Sequence, residues 1–194
     1  MPRDADPGLR QRILDAAGPL FYRHGIQAVG TAQVAAAAGC GKNGLYREFP
    51  SKDDLVRAYL EEFVDARRRS QERDLAGLAD DPASALITLT RNAAERAAHP
   101  RFQGCALRNY LREFHGPQGS PGEVAITAVT ASRAQVDDLA RRTGVLDPDA
   151  LADEVWLIWE GLWASAPYGD RPRLGERAVA VVTGLVSASP LASA

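Results

Sequence analysis

Apolar residues recur three and four positions apart along most of this chain, and no stretch alternates with the period of two that a half-buried strand needs. The pattern predicts a first helix over residues 7–24, where Ile13, Ala17, Leu20 and Phe21 share one face. Pro19 lies inside it and Gly25 ends it. Two short helices are predicted next, over 31–38 and 42–49, with Val34, Ala35, Ala38, Leu45 and Phe49 facing inward. Pro50 closes the second, because the residue before proline resists the α conformation. Ser51 is placed to cap a long helix over 52–79, with Asp53 and Asp54 in its first turn. Further helices are expected over 82–98, in part of 101–115, and over 123–143, 148–166 and 172–188. The glycine- and proline-rich run 116–122 is expected to be a flexible loop. The sum is an all-α chain of nine helices without an internal repeat.

The second and third helices, joined by Gly39-Cys40-Gly41, have the form of a helix-turn-helix. Such a turn needs glycine for an unusual backbone conformation, met by Gly39 with Gly41 as a second candidate. Val34, Ala35 and Leu45 would pack the two helices together. Lys42, Asn43, Gly44 and Arg47 are then left to face outward, as a helix that reads the major groove requires.

Composition adds little to that signal. The 194 residues are 45% hydrophobic, enough to bury a core, and the net charge of −2 does not announce a nucleic-acid partner. Residues 1–57 carry a net +2 and the remainder −4, a modest asymmetry toward an acidic partner at the N-terminal end. Of 23 basic residues only Lys42 and Lys52 are lysines, and both fall in or beside the motif. The most apolar segment, 151–167, contains Asp153, Glu154 and Glu160, which argues against a membrane span. The first seven residues carry acids and no apolar core, unlike a secretory leader. Cys40 and Cys105 lie far apart and suggest neither a disulfide nor a metal framework. The expectation is a cytoplasmic protein without cofactor or metal.

Arg12-Ile13-Leu14-Asp15-Ala16-Ala17, Leu20-Phe21, Gly25, Val34-Ala35, Ala38-Gly39, Leu45-Tyr46, Phe49 and Ser51-Lys52, at their fixed spacing, resemble the signature of the TetR (tetracycline-repressor-like) family over about residues 10–57. The resemblance implies a nine-helix, two-domain repressor: a helix-turn-helix DNA-binding domain over 1–51 and a helical ligand-binding and dimerisation domain over 52–194. It implies a homodimer on palindromic operator DNA, released by a small, largely apolar effector. Carried over by position, Lys42, Asn43, Gly44 and Arg47 resemble the operator-facing residues, and Tyr46 and Lys52 the phosphate clamps. Thr31 and Gln33 resemble further phosphate contacts. The chain departs from the common pattern at Gly41, where serine is usual, and at Asn43, Gly44 and Glu48. The operator sequence is therefore not inherited with the family. Tyr46 also reads as a packing residue, and Lys52 as a solvated charge.

Over 148–166, Leu151, Val155, Ile158 and Leu162 form one stripe and Trp156, Trp159 and Trp163 an adjacent one. A helix apolar nearly all round must be covered on more than one side. With Ala178, Val181, Val182 and Leu185 of the last helix, these residues are expected to form a four-helix interface between two copies. A thick core within one chain is the other reading. Phe63, His99, Phe102, Tyr110, Phe114 and Trp159 are the candidate effector contacts, each also readable as an ordinary core or surface residue. Two alternatives stand beside the effector-responsive repressor. One is a DNA-binding regulator without an effector. The other is a thiol-dependent enzyme built on Cys105 with His99 or His115.

Overall fold

A computed structural model describes residues 7–188 and residue 190; the leader reading concerned residues 1–7, of which 1–6 lie outside the described ones. Among the described residues there are nine helices and no β-strand. They are α1 (Leu9–His24), α2 (Thr31–Ala37), α3 (Lys42–Glu48), α4 (Lys52–Asp74), α5 (Pro82–Ala98), α6 (Ala106–Glu113), α7 (Gly119–Arg142), α8 (Pro148–Ser165) and α9 (Arg171–Ala188). No helix among them is long and apolar enough to cross a membrane.

Local chemistry explains the boundaries. Ser51 and Asp54 form a reciprocal cap at the start of α4. The Ser51 hydroxyl oxygen accepts from the Asp54 N–H at 3.1 Å, and the Asp54 carboxylate accepts from the Ser51 N–H at 3.0 Å. Asp81 and Asp147 cap α5 and α8 by accepting from Ser84 N–H at 2.9 Å and Ala150 N–H at 3.0 Å, each with proline at the first helical position. Two segments, α4 and α7, differ from the sequence expectation. α4 stops at Asp74, where the chain turns through Gly77 at φ 84°. α6 is the helical part of the expected 101–115 stretch, and it begins after Gly104, which has φ 97°. α7 begins inside the expected loop. Pro121 stands in its first turn, where no intrahelical N–H bond is lost, and a Cβ on Gly122 would lie 2.5 Å from the Pro117 carbonyl carbon.

The described residues divide into two compact units. The first unit takes the described residues up to Asp65 together with Ala106–Ala128; the second takes Ala66–Cys105 and the described residues from Val129 onward. In the first unit α1, α2 and α3 pack on one another, and Ile13, Ala17, Phe21, Val34, Leu45, Phe49 and Leu55 are buried.

In the second unit α5, α8 and α9 pack together around Leu86, Leu89, Val136, Leu151, Val155, Trp159, Leu162 and Val182. Thr90 is the buried polar side chain of this core. Its hydroxyl donates to the Leu86 carbonyl at 2.8 Å and accepts from the Trp159 indole N–H at 3.0 Å. Of the residues expected at a dimer interface, Leu151, Val155, Leu162, Trp163, Ala178 and Val182 are buried in this chain's own core. Trp156, Ile158 and Leu185 are half-buried, and Val181 is exposed. The outer face of α8 instead carries Leu157, 68% exposed, which the apolar stripes did not single out.

Candidate nucleic-acid interface

Helix α2 ends in a turn that only glycine enters without strain. Gly39 has φ 64°, its N–H donates to the Ala36 carbonyl at 3.1 Å, and Cys40 N–H reaches back to Ala35 at 2.9 Å. Gly41 has φ −78° and ψ 161°, ordinary extended backbone, so it has no part in the turn conformation. It is the N-cap of α3 and offers no side-chain oxygen.

The two short helices bury Val34, Ala35 and Leu45 and leave Lys42, Asn43, Tyr46 and Arg47 exposed, with Gln33 exposed on α2. Thr31 and Tyr46 are tied together across the motif, their hydroxyl oxygens 3.1 Å apart. The Lys42 ammonium lies 5.8 Å from the Tyr46 ring centroid. One of the two hydroxyls donates to the other, which leaves one O–H and the Lys42 ammonium to donate to phosphate oxygens, and an exposed asparagine can pair with a base edge. Arg47 and Glu48 pair at 3.2 Å, which occupies the carboxylate that departs from the common pattern. Lys52 is half-buried, its ammonium 3.4 Å from the Gln27 carbonyl.

Gly44 is placed differently from its neighbours. A Cβ there would point at Leu9 Cδ2, 3.5 Å away, and at Cys40 Cβ, 3.7 Å away, both ordinary contacts. It lies on the packing side of α3, not on the outward row. Gly44→Ala is therefore expected to stabilise the chain by about 1 kcal/mol, the helix-propensity difference. Thermal denaturation checks the gain, and an unchanged affinity for duplex DNA checks the placement.

Sequence reasoning missed two residues that hold this motif. Arg10 on α1 donates to the Glu48 carbonyl at 3.1 Å and stacks its guanidinium 4.3 Å from the Phe49 ring centroid, pinning the end of α3. Glu113, the last residue of α6, accepts from Ile26 N–H at 3.0 Å and from Gln27 N–H at 2.5 Å. Neither position carries a sequence signal, because both partners are remote in the chain.

The effector candidates divide between the units. Phe63, Tyr110 and Phe114 belong to the first, where the rings of Tyr110 and Phe114 stack at 4.5 Å. The Tyr110 hydroxyl donates to the Gln118 carbonyl at 2.7 Å. Burial, then the carboxylates of Asp53 and Glu113, hold it above the usual phenol range. His99, Phe102 and Trp159 belong to the second. His99 is exposed at the end of α5 and its Nδ1 accepts from Arg101 N–H at 3.2 Å; Phe102 packs on the core; Trp159 is buried within it. Cys105 is buried and Cys40 half-buried. Among the described residues no group of three or more metal-ligating side chains comes together.

Residues 13–59 match the family model described as bacterial regulatory proteins, tetR family. The transcriptional regulator AcuR of Cereibacter sphaeroides is 30% identical over 88% of this chain and 83% of its own length. A putative tetr-transcriptional regulator (sav143) of Streptomyces avermitilis has a related structure, at 30% identity and a TM-score of 0.78 over 95% of this chain and 99% of that one. SCO4454, a TetR-family regulator of Streptomyces coelicolor, shares the fold with a TM-score of 0.86 at 24% identity, over 92% of this chain and 94% of that one. With its motif in residues 31–49 and relatives that match along nearly its whole length, the chain belongs to the TetR family of DNA-binding transcriptional regulators.

Proposed function

We propose that the chain is a homodimeric repressor that places one α3 in each of two major-groove segments of a palindromic operator and leaves on binding a small, largely apolar effector. The observation that carries the reading is the outward row of Lys42, Asn43, Tyr46 and Arg47 on a helix whose other face is fixed by Leu45, Phe49 and Arg10. In this reading Asn43 and Arg47 address base edges. Lys42, Tyr46, Thr31, Gln33 and Lys52 address phosphates. Within the first unit the proposed effector contacts are Phe63, Tyr110 and Phe114; His99 and Phe102, in the second unit, are a separate alternative set. Trp159 is assigned to the core, because its indole N–H is already committed to Thr90.

Two reading heads spaced about 34–36 Å apart, one turn of duplex, require a second copy. The exposed Leu157 on α8 and Val181 on α9 support that second copy as their cover. A protein seated across an operator excludes the transcription machinery by bulk, which makes repression the direct consequence. Effector and operator would then oppose each other through one shared coupling free energy, so each must weaken the other by the same factor.

The test is a pair of substitutions assayed on a duplex selected from a random pool by the wild-type chain. Lys52→Ala is expected to weaken binding to every duplex and to lower the salt slope by about one. Asn43→Ala is expected to relax preference at one base position, at about 1–3 kcal/mol of discrimination. A wild-type chain that selects no sequence and ignores duplex DNA at low salt would overturn the reading.

A further inference from the structure

Three hydrogen bonds join the end of α6 to the loop that enters the reading motif. Glu113 Oε2 accepts from the Ile26 N–H at 3.0 Å and Oε1 from the Gln27 N–H at 2.5 Å. The Gln27 side-chain amide returns to the Glu113 carbonyl at 2.7 Å, satisfying one of the carbonyls that a helix end leaves open. Gly25 prepares this arrangement. Its φ of 84° and ψ of 152° are open to glycine alone, and they present two successive N–H groups to one carboxylate. A Cβ on Gly25 would lie 3.2 Å from Glu113 Oε1, so the loop and the carboxylate are fitted to each other.

The position of the acid is itself informative. A carboxylate at a helix C-terminus opposes the helix dipole. Glu113 stands there nonetheless, and the two backbone donors offset the repulsion. Gln27 is held at three points, because its own carbonyl also faces the Lys52 ammonium at 3.4 Å. The loop is thus tied to α6 through Glu113 and to the first residue of α4 through Lys52. Thr31, the first residue of α2 and the partner of Tyr46, follows a few residues later.

We propose that Glu113 is a positioning residue for DNA reading: it makes no contact with the duplex, and by holding residues 25–27 it fixes the direction of α2 and α3. The proposal rests on the reading of α3 as the DNA-contacting helix. It makes α6 a second handle on the motif, so that any displacement of the end of α6 must break these bonds or carry the motif with it.

The experiment compares the full chain with Glu113→Ala and Glu113→Gln. Glu113→Gln leaves one acceptor and turns an amide donor toward a backbone donor, so its effect should fall between wild type and Glu113→Ala. Affinity is measured for the selected duplex and for a scrambled duplex of the same length across a salt series. Amide exchange is followed at Ile26 and Gln27. Glu113→Ala is expected to lose about tenfold on the selected duplex, the scale of one charge-assisted hydrogen bond. Binding to the scrambled duplex and the salt slope should stay unchanged, because no phosphate contact is removed. Exchange at Ile26 and Gln27 should accelerate while the thermal midpoint holds. Wild-type discrimination between the duplexes in Glu113→Ala would overturn the proposal. Equal losses on both duplexes with a lowered midpoint would also overturn it, as the mark of a merely structural contact. A wild-type chain that binds neither duplex would instead overturn the reading of α3, and this proposal with it.

Discussion

Trp159→Ala is expected to destabilise the second unit by about 3–5 kcal/mol, the usual result of emptying a large aromatic site in a packed core. The side chain is 2% exposed, and its ring lies 6.3 Å from Trp156 and 5.9 Å from Trp163. Against a total stability of about 5–15 kcal/mol, that is a large fraction of the whole. Urea unfolding followed by far-ultraviolet circular dichroism measures it, with the midpoint moving and the slope held. The polar part of the site can be separated from the packing part. Thr90→Val keeps the shape and removes the acceptor, leaving a buried indole N–H unsatisfied at about 1–3 kcal/mol. In a Trp159→Phe background there is no N–H to strand, so Thr90→Val should cost less. An additive cycle would mean that the 3.0 Å hydrogen bond contributes nothing.

If the proposed dimer pairs through α8, Leu157→Arg is expected to leave a monomer and to lower affinity for a two-half-site duplex by about a hundredfold or more, because the second head loses its tether. The side chain is 68% exposed within one chain, so the substitution leaves that chain's own core intact. Light scattering at micromolar concentration reads the mass, and binding to a single half-site serves as the control that should stay constant. An unchanged mass would show that α8 is not the surface that pairs. Charged residues at Leu151 or Val155 would not make this test, because both are buried and would unfold the second unit instead.

Much of the fold was legible because its signals are local. The spacing of Ile13, Ala17 and Phe21, the glycine turn at Gly39, the Asp-Pro pairs that open α5 and α8, and the serine before Lys52 all act within one or two turns of chain. The start of α7 was not legible. Its composition is that of a loop, and the helix depends on the fit of Gly122 against Pro117, which only the folded backbone defines. The outward row of α3 could be read from its neighbours, yet Gly44 was assigned to it because a residue without a side chain gives no sign of which way it faces. Helix α8 posed the same problem in another form. It is apolar nearly all round, so periodicity could not decide which side its own core takes, and Leu157 was passed over. Arg10 and Glu113 act on partners far along the chain, and residue type alone does not disclose that.

The clamp at Glu113 also sets an order of events during synthesis. Gln27 and Glu113 are 86 residues apart. At about 5–20 residues per second, the ribosome releases the first on the order of ten seconds before the second. Over that interval the Ile26 and Gln27 amides are without the acceptor that Glu113 supplies. The module that would have to be moved intact in a graft between relatives is therefore discontinuous. A hybrid cut at residue 51 would carry the helices that meet DNA and leave behind the residue that aims them, whereas one that also transfers residues 106–128 would keep the pair together.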